Sequence, residues 1–267
     1  MYIDYHLHSQ FSCDSLTNME AICQAALSAG LDEIAFTDHM DFTYPLQYEN
    51  HYIHDLDNYL DTINQYRQRY SGQLVIRAGV EIGMERHRLA QCESFLKRYP
   101  FDFVIGSVHE IDGIAVSQIA FFLGKTKEQV YRQYYGAILD CIRHFDNFDV
   151  IGHLDYCKRY CPLPYEPGDY LIAMDVVTEL LQELIRRGKG LEINTSGFRH
   201  KSAMGLPHFD ILRHYRQLGG TRITIGSDSH RSEYVGYKVA ETTALLKTLG
   251  FTHISTFGHR HEYPVAL

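Results

Sequence analysis

The sequence predicts an α/β fold whose parallel strands close into a barrel. Three observations carry this expectation. Short β-like runs alternate with amphipathic helical stretches about seven times along 267 residues, which calls for parallel strands joined by crossover helices. The Gly-x-Gly-x-x-Gly signature of an open dinucleotide-binding sheet is missing after the first strand. Polar residues stand at nearly every strand end. A barrel gathers functional residues from the C-terminal ends of many strands, whereas an open sheet concentrates them at one switch point.

Taken in order, the first strand covers residues 2–7. Side chains alternate faces along a strand, so Asp4, His6 and His8 point one way and Ile3, Tyr5 and Leu7 the other. Two imidazoles on one face can grip one metal ion, with Asp4 orienting one of them from behind. Further strands are expected at residues 33–37, 74–81, 101–108, 148–153, 190–195 and 221–227, with a weaker eighth run at 253–257. Thr17 with Glu20 reads as a capping box for the first helix, and Gly30 as its stop. Asp55 caps a second helix bearing Leu56, Tyr59, Leu60, Ile63 and Tyr66, and a third spans 88–98 ahead of Pro100. Thr126 with Gln129 forms another box. Helices over 174–187 and 233–249 end near Gly188 and Gly250, and a shorter one fills 207–218.

Composition narrows the class. With 45% hydrophobic residues the chain can build one large core, and residues 1–267 are read as a single domain. A net charge of −8 argues against a basic surface for nucleic acid. No run approaches the ~18 apolar residues of a membrane span, and no basic-then-apolar leader opens the chain. The expectation is a soluble cytoplasmic protein, with a homo-oligomer left open. Six cysteines without a Cys-x-x-Cys pair read as reduced, mostly buried thiols. Sixteen histidines exceed what packing requires.

The strand ends carry the chemistry. Strand one offers His6 and His8, followed by Asp14; strand two His39; strand three Glu81; strand four His109; strand five His153 and Asp155; strand six Asn194 and Ser196; strand seven Asp228 and His230. Any one of these has a bland explanation as a loop cap. Together, carboxylates buried at one rim without cations would repel one another and suffer heavy desolvation. Nine residues, His6, His8, Asp14, His39, Glu81, His109, His153, Asp228 and His230, are enough for two or three divalent ions. Mixed N/O ligation without thiolate suits zinc, manganese or iron. Ions about 3.5–4 Å apart can share a hydroxide and clamp both attacking and leaving oxygens.

In this order, His6-Leu7-His8, Thr37-Asp38-His39, Gly79-Val80-Glu81, Ser107-Val108-His109, Gly152-His153 and Gly226-Ser227-Asp228-Ser229-His230 resemble the motifs of the polymerase-and-histidinol-phosphatase (PHP) superfamily. Gly152-His153-Leu154-Asp155 with Lys158-Arg159-Tyr160, and Glu192-Ile193-Asn194-Thr195-Ser196-Gly197 with Arg199, resemble its histidinol-phosphatase branch. The resemblance implies a distorted seven-stranded (β/α)7 TIM-like barrel of PHP type with a trinuclear centre. It implies that His6, His8, Glu81 and Asp228 hold the first metal, and that Glu81 bridges to a second completed by His109 and His153. Asp14, His39 and His230 then hold the third. Many superfamily members carry histidine where this chain has Asp14, which makes that site harder.

Such a centre suits a phosphate monoester, whose dianion bridges metals. Arg159 and Arg199 can fork onto phosphate oxygens, a geometry lysine cannot copy. Lys158, Asn194 and Ser196 are further candidate substrate contacts, and Asp155 or Asp228 a proton relay to the leaving group. The aromatic and acidic stretch 41–55, with Phe42, Tyr44, Tyr48, Glu49 and Tyr52, reads either as a lid or as an ordinary surface loop. Residues 110–125, with Phe121 and Phe122, offer a second wall. His51, His54 and His87 lie in or near loops with reach to substrate, while His144, His200, His208, His214, His253, His259 and His261 read as surface or packing residues. The branch resemblance implies hydrolysis of L-histidinol phosphate, a small phosphorylated metabolite. The rivals are a broader phosphoesterase acting on sugar phosphates, nucleotides or phosphotyrosine, a non-catalytic metal-binding module, and an amidohydrolase-like enzyme.

Overall fold

Seven parallel strands, each buried on both faces, follow one another around a barrel in chain order. The computed structural model describes residues 1–42, 53, 55–166, 168–200 and 203–267; most of the stretch 41–55 considered as a lid, with Tyr44, Tyr48, Glu49, His51, Tyr52 and His54, lies outside them. The elements are β1 (Ile3–Leu7), α1 (Met19–Ser28), β2 (Glu33–Phe36), β3 (His39–Met40), α2 (Leu56–Arg69), β4 (Val75–Gly83), α3 (Leu89–Leu96) and β5 (Phe103–Ser107). A small hairpin, β6 (Glu110–Ile111) and β7 (Ile114–Ala115), precedes α4 (Lys127–His144), β8 (Val150–Ile151), α5 (Cys157–Tyr160), α6 (Met174–Arg186) and β9 (Gly190–Asn194). Then come α7 (Phe209–Gln217), β10 (Ile223–Gly226), α8 (Val239–Thr248), β11 (His253–Gly258) and β12 (His261–Ala266).

The barrel order is β1-β2-β4-β5-β8-β9-β10, with β3 paired to the upper part of β4. Every pairing in it is parallel, as crossover helices require. Closure between the first and last strands is brief. The His8 amide donates to the Ser229 carbonyl at 2.9 Å, and the Ser229 amide donates back to His6 at 3.3 Å. The pairing of β1 with β2 is irregular between Asp4 and Leu7. These two departures make the barrel nearly closed and distorted.

The eighth expected strand exists but stays out of the barrel. It is β11, paired antiparallel with β12, and this hairpin seals the lower end. The Phe257 amide donates to the Tyr5 hydroxyl at 2.9 Å, and the Phe257 ring lies 4.9 Å from Phe103. Arg260 pairs with Asp149 at 2.7 Å. Asp55 caps α2, and Thr126 with Gln129 forms the capping box of α4. Helix α1 departs from expectation: Asn18 caps it, because the Thr17 hydroxyl instead donates to the His230 carbonyl at 2.9 Å. Helix α8 begins at Val239, because Gly236 (φ 71°) and Lys238 (φ 57°) take left-handed backbone just before it.

Candidate metal centre

Strand β4 is the longest in the barrel, and near its upper end it carries Glu81, 1% exposed, into the interior. The two carboxylate oxygens face different histidines. Oε2 lies 3.1 Å from His6 Nε2, 3.5 Å from His8 Nε2 and 3.0 Å from His39 Nδ1. Oε1 lies 2.8 Å from His153 Nε2 and 3.3 Å from His109 Nε2. Asp228 Oδ1 stands 3.5 Å from His8 Nε2 and 3.9 Å from His6 Nε2. Nearer the mouth, Asp14 Oδ2 meets His230 Nε2 at 3.0 Å and His39 Nε2 at 3.6 Å. All nine side chains expected from the sequence converge here. His153 (φ 22°) and Asp228 (φ 51°) have left-handed backbones, costing roughly 1–3 kcal/mol each and kept where the surroundings over-determine them.

Several imidazoles are held from behind by groups that sequence reasoning passed over. Asp4 was expected to orient a strand-one histidine, but its oxygens accept from the amides of Ser227 and Gly236, both at 2.8 Å, and fasten the segment after β10. Glu192 takes that part, meeting His6 Nδ1 at 2.5 Å. Asp41 meets His109 Nδ1 at 2.9 Å, and the Ser12 hydroxyl meets His8 Nδ1 at 3.1 Å. Only Glu192 carried a sequence signal, through its place in the sixth-strand motif.

Burial governs the charges. It would raise Glu81, but His6, His39 and His109 outweigh it and hold the carboxyl well below the usual range. Burial would lower His6, yet Glu192 and Glu81 raise it well above an ordinary imidazole. His109, against Asp41 and Glu81, is likewise pushed up, to about 10. His8 goes the other way, to about 3, through burial and the neighbouring His230 and His39.

The donor set fits cations. His6 Nε2, His8 Nε2, His39 Nδ1 and Glu81 Oε2 are buried and make no hydrogen bond, a costly state for polar atoms that share one cavity. Within the described residues, His6, His8 and Glu81 form one compact ligand group, Glu81, His109 and His153 another, His8, His39 and His230 a third, and His39, Asp41 and His109 a fourth. No cysteine belongs to any of the four groups, and the six cysteines are thiols outside any disulfide.

The centre opens into a cavity of about 310 Å³. Its outer wall is formed by Tyr156, Arg159, Tyr160, Arg199, His200 and Tyr234. Arg159 and Arg199 thus stand where the sequence placed them. Four other expected substrate or proton-relay residues do not line this cavity. Lys158 Nζ turns to Asp155 Oδ2 at 3.1 Å, and that same oxygen accepts from the His208 amide. Asn194 and Ser196, both fully buried, bond each other beneath the site: Asn194 Oδ1 accepts from the Ser196 amide and hydroxyl. They hold the centre rather than face its opening. His200, read from sequence as a surface or packing residue, belongs to the wall; burial with Arg159 and Arg199 nearby lowers it to about 4, so its ring is neutral.

Strand ends bearing histidines and carboxylates around one cavity define a barrel with a metal-type centre, and the PHP domain model matches residues 4–196. The chain belongs to the PHP domain family. It is 35% identical over 256 residues to the histidinol-phosphatase of Lactococcus lactis subsp. lactis, covering 96% of this chain and 94% of that one. It is 27% identical to the histidinol-phosphatase of Bacillus subtilis, covering 88% and 95%. A crystal structure of the Lactococcus lactis histidinol phosphate phosphatase, complexed with zinc, L-histidinol and phosphate, superposes with a TM-score of 0.90 at 34% identity, covering 98% of both chains. Residues 223–226, which complete the barrel as β10, lie beyond the matched stretch.

Proposed function

We propose that this chain is a histidinol-phosphatase that hydrolyses L-histidinol phosphate to L-histidinol and phosphate. The observation that carries the reading is that Arg159 and Arg199 line one cavity with seven of the nine cluster residues, all but the fully buried His6 and His8. The relatives at 35% and 27% identity bear that activity in their names, and one binds zinc, L-histidinol and phosphate.

His6, His8, Glu81 and Asp228 would hold one divalent ion, Glu81 with His109 and His153 a second, and Asp14, His39 and His230 a third. Zinc is the first candidate, with manganese or iron next, since all accept imidazole and carboxylate. When bound, the ions supply Lewis acidity and an activated water for attack on phosphorus. The chain's own residues do the rest. Arg159 and Arg199 fork onto the phosphate oxygens and fix its orientation. Asp228, held ionised by His8, His6 and Arg159 against the effect of burial, remains a ligand instead of a proton donor. Tyr156 and Tyr160 narrow the opening and limit water around the ester.

We read residues 1–267 as one catalytic unit acting on a small phosphorylated metabolite. No described helix is long and apolar enough to cross a membrane. The expected setting is the cytoplasm, which suits six cysteines outside any disulfide.

The test is a panel of phosphate monoesters, histidinol phosphate, sugar phosphates, nucleotides and phosphotyrosine, offered to protein of defined zinc, manganese or iron content. The highest kcat/KM should belong to histidinol phosphate. Rapid turnover of another ester, with none of histidinol phosphate, would replace the assignment with a broader phosphoesterase.

A further inference from the structure

One buried carboxylate at the centre touches no part of the cavity and takes no part in the chemistry above. Glu192, on β9, is 1% exposed. Its Oε1 meets His6 Nδ1 at 2.5 Å. Its Oε2 accepts from the His153 amide at 2.7 Å and from the Asn194 side chain at 3.1 Å. His6 comes from β1 and His153 follows β8, so this one side chain reaches the end of the neighbouring strand on one side and, past β10, the first strand on the other. The molecule keeps room for it: a Cβ at Gly226 would fall 2.2 Å from Glu192 Oε1 and 2.4 Å from His6 Cβ.

We propose that Glu192 is a positioning residue that sets both halves of the metal centre at once. Through Oε1 it accepts the Nδ1–H of His6, which leaves Nε2, 3.1 Å from Glu81 Oε2, as the ring nitrogen that a cation would take in exchange for its proton. Through Oε2 it holds the left-handed backbone of His153, whose Nε2 lies 2.8 Å from Glu81 Oε1. Glu81 joins the two ligand groups from the cavity side, and Glu192 fixes their spacing from behind. The support continues outward, because Asn194 Oδ1 accepts from the Ser196 hydroxyl at 2.5 Å, and that hydroxyl lies 3.2 Å from Asp228 Oδ2. A carboxylate behind a ligating imidazole fixes its tautomer and orientation, and losing such a partner typically weakens metal binding about 10- to 100-fold.

Glutamine has the same shape but only one accepting oxygen. It can satisfy His6 or the His153 amide, never both. The inference rests on the metal-centre reading above and is tested on metal binding rather than on turnover alone. Full-length wild-type protein and Glu192→Gln are stripped of metal, checked for fold by circular dichroism and titrated with zinc against a competing chelator. Bound zinc is counted by elemental analysis. Glu192→Gln should bind zinc about 10- to 100-fold more weakly, with kcat reduced, KM for histidinol phosphate within about twofold, and activity partly restored by excess zinc. Zinc bound with wild-type number and affinity by folded Glu192→Gln would overturn the proposal, even if its melting temperature fell. If Glu192→Gln does not fold, Asn194→Ala decides, since it removes the amide that steadies Oε2 together with the oxygen that holds Ser196 against Asp228. A roughly threefold or larger loss of zinc affinity supports the role, and none refutes it. A wild-type chain that binds zinc tightly yet ignores histidinol phosphate would sink the assigned substrate and leave this inference standing. A wild-type chain without affinity for any divalent ion would end both.

Discussion

The Arg199 guanidinium sits over the Tyr234 ring, its central carbon 4.5 Å from the ring centroid. Nη2 also donates to the carbonyls of Ser227 and Asp228, at 3.2 and 3.1 Å. The ring and the two carbonyls fix the direction of the fork before any phosphate arrives. A cation–π contact of this kind contributes roughly 0.5–2 kcal/mol, which corresponds to about 2- to 30-fold in kcat/KM. Tyr234→Ala should lose that much on histidinol phosphate, while Tyr234→Phe, which keeps the ring, should stay near wild type. Steady-state kinetics showing equal losses in both variants would argue for the hydroxyl instead.

Arg159 reaches the same cavity from α5, 3.4 Å from Asp228 Oδ2. Charge-assisted hydrogen bonds are worth roughly 1.5–3 kcal/mol each. Arg159→Ala and Arg199→Ala should therefore each lower kcat/KM by about 10- to 150-fold, with zinc content unchanged. Lysine at either position should recover only part of the loss, because it keeps the charge without the planar fork. A lysine variant as fast as wild type would show that charge alone suffices.

Glu81 offers one oxygen to His6, His8 and His39 and the other to His109 and His153. Glu81→Ala should empty two metal positions together and abolish phosphate release. Elemental analysis finding full occupancy in this variant would contradict the bridging part assigned to it.

Protons and cations compete for this centre. His6 and His109 hold their protons well above neutral pH, His6 through Glu192 and Glu81 and His109, at about 10, through Asp41 and Glu81, each against the effect of burial. Metal must displace those protons, so zinc binding at pH 7 should release protons, and apparent affinity should fall as pH is lowered. Calorimetry in buffers of differing ionisation enthalpy measures the release directly. A heat of binding that does not vary with buffer would rule out protonated imidazoles in the metal-free centre.

Much of this was readable before any coordinates, because strand-end residues obey a simple geometry. In a parallel barrel, the residue closing each strand must face the mouth, so His6, Glu81, His109, His153 and Asp228 could be assembled from order alone. What escaped was contact between strands. The sixth-strand motif contains Glu192 but does not say that it reaches His6, while Asp4, which shares a strand with His6, ties down Ser227 and Gly236 instead. Lys158 and Asp155 follow a metal-facing histidine closely, but α5 turns them toward each other and away from the opening. Thr17 fits a capping box by spacing, and only the folded loop reveals that the His230 carbonyl claims its hydroxyl. The run at 253–257 read as a weaker eighth strand, and its antiparallel partner β12 went unread, since periodicity records a strand and not its partner.

Because that hairpin stops the lower end, solvent meets the ligands from above only, and they lie at different depths. Asp14, His230 and His39 are 47, 28 and 16% exposed, whereas His6 and His8 are wholly covered and Asp228 is 8% exposed. The depth gradient acts as a clock: a scavenger such as EDTA would draw out the outermost ion within a short dead time, and the ion under His6 would leave last. Partly stripped preparations would then be a defined intermediate of fixed composition, not a random mixture.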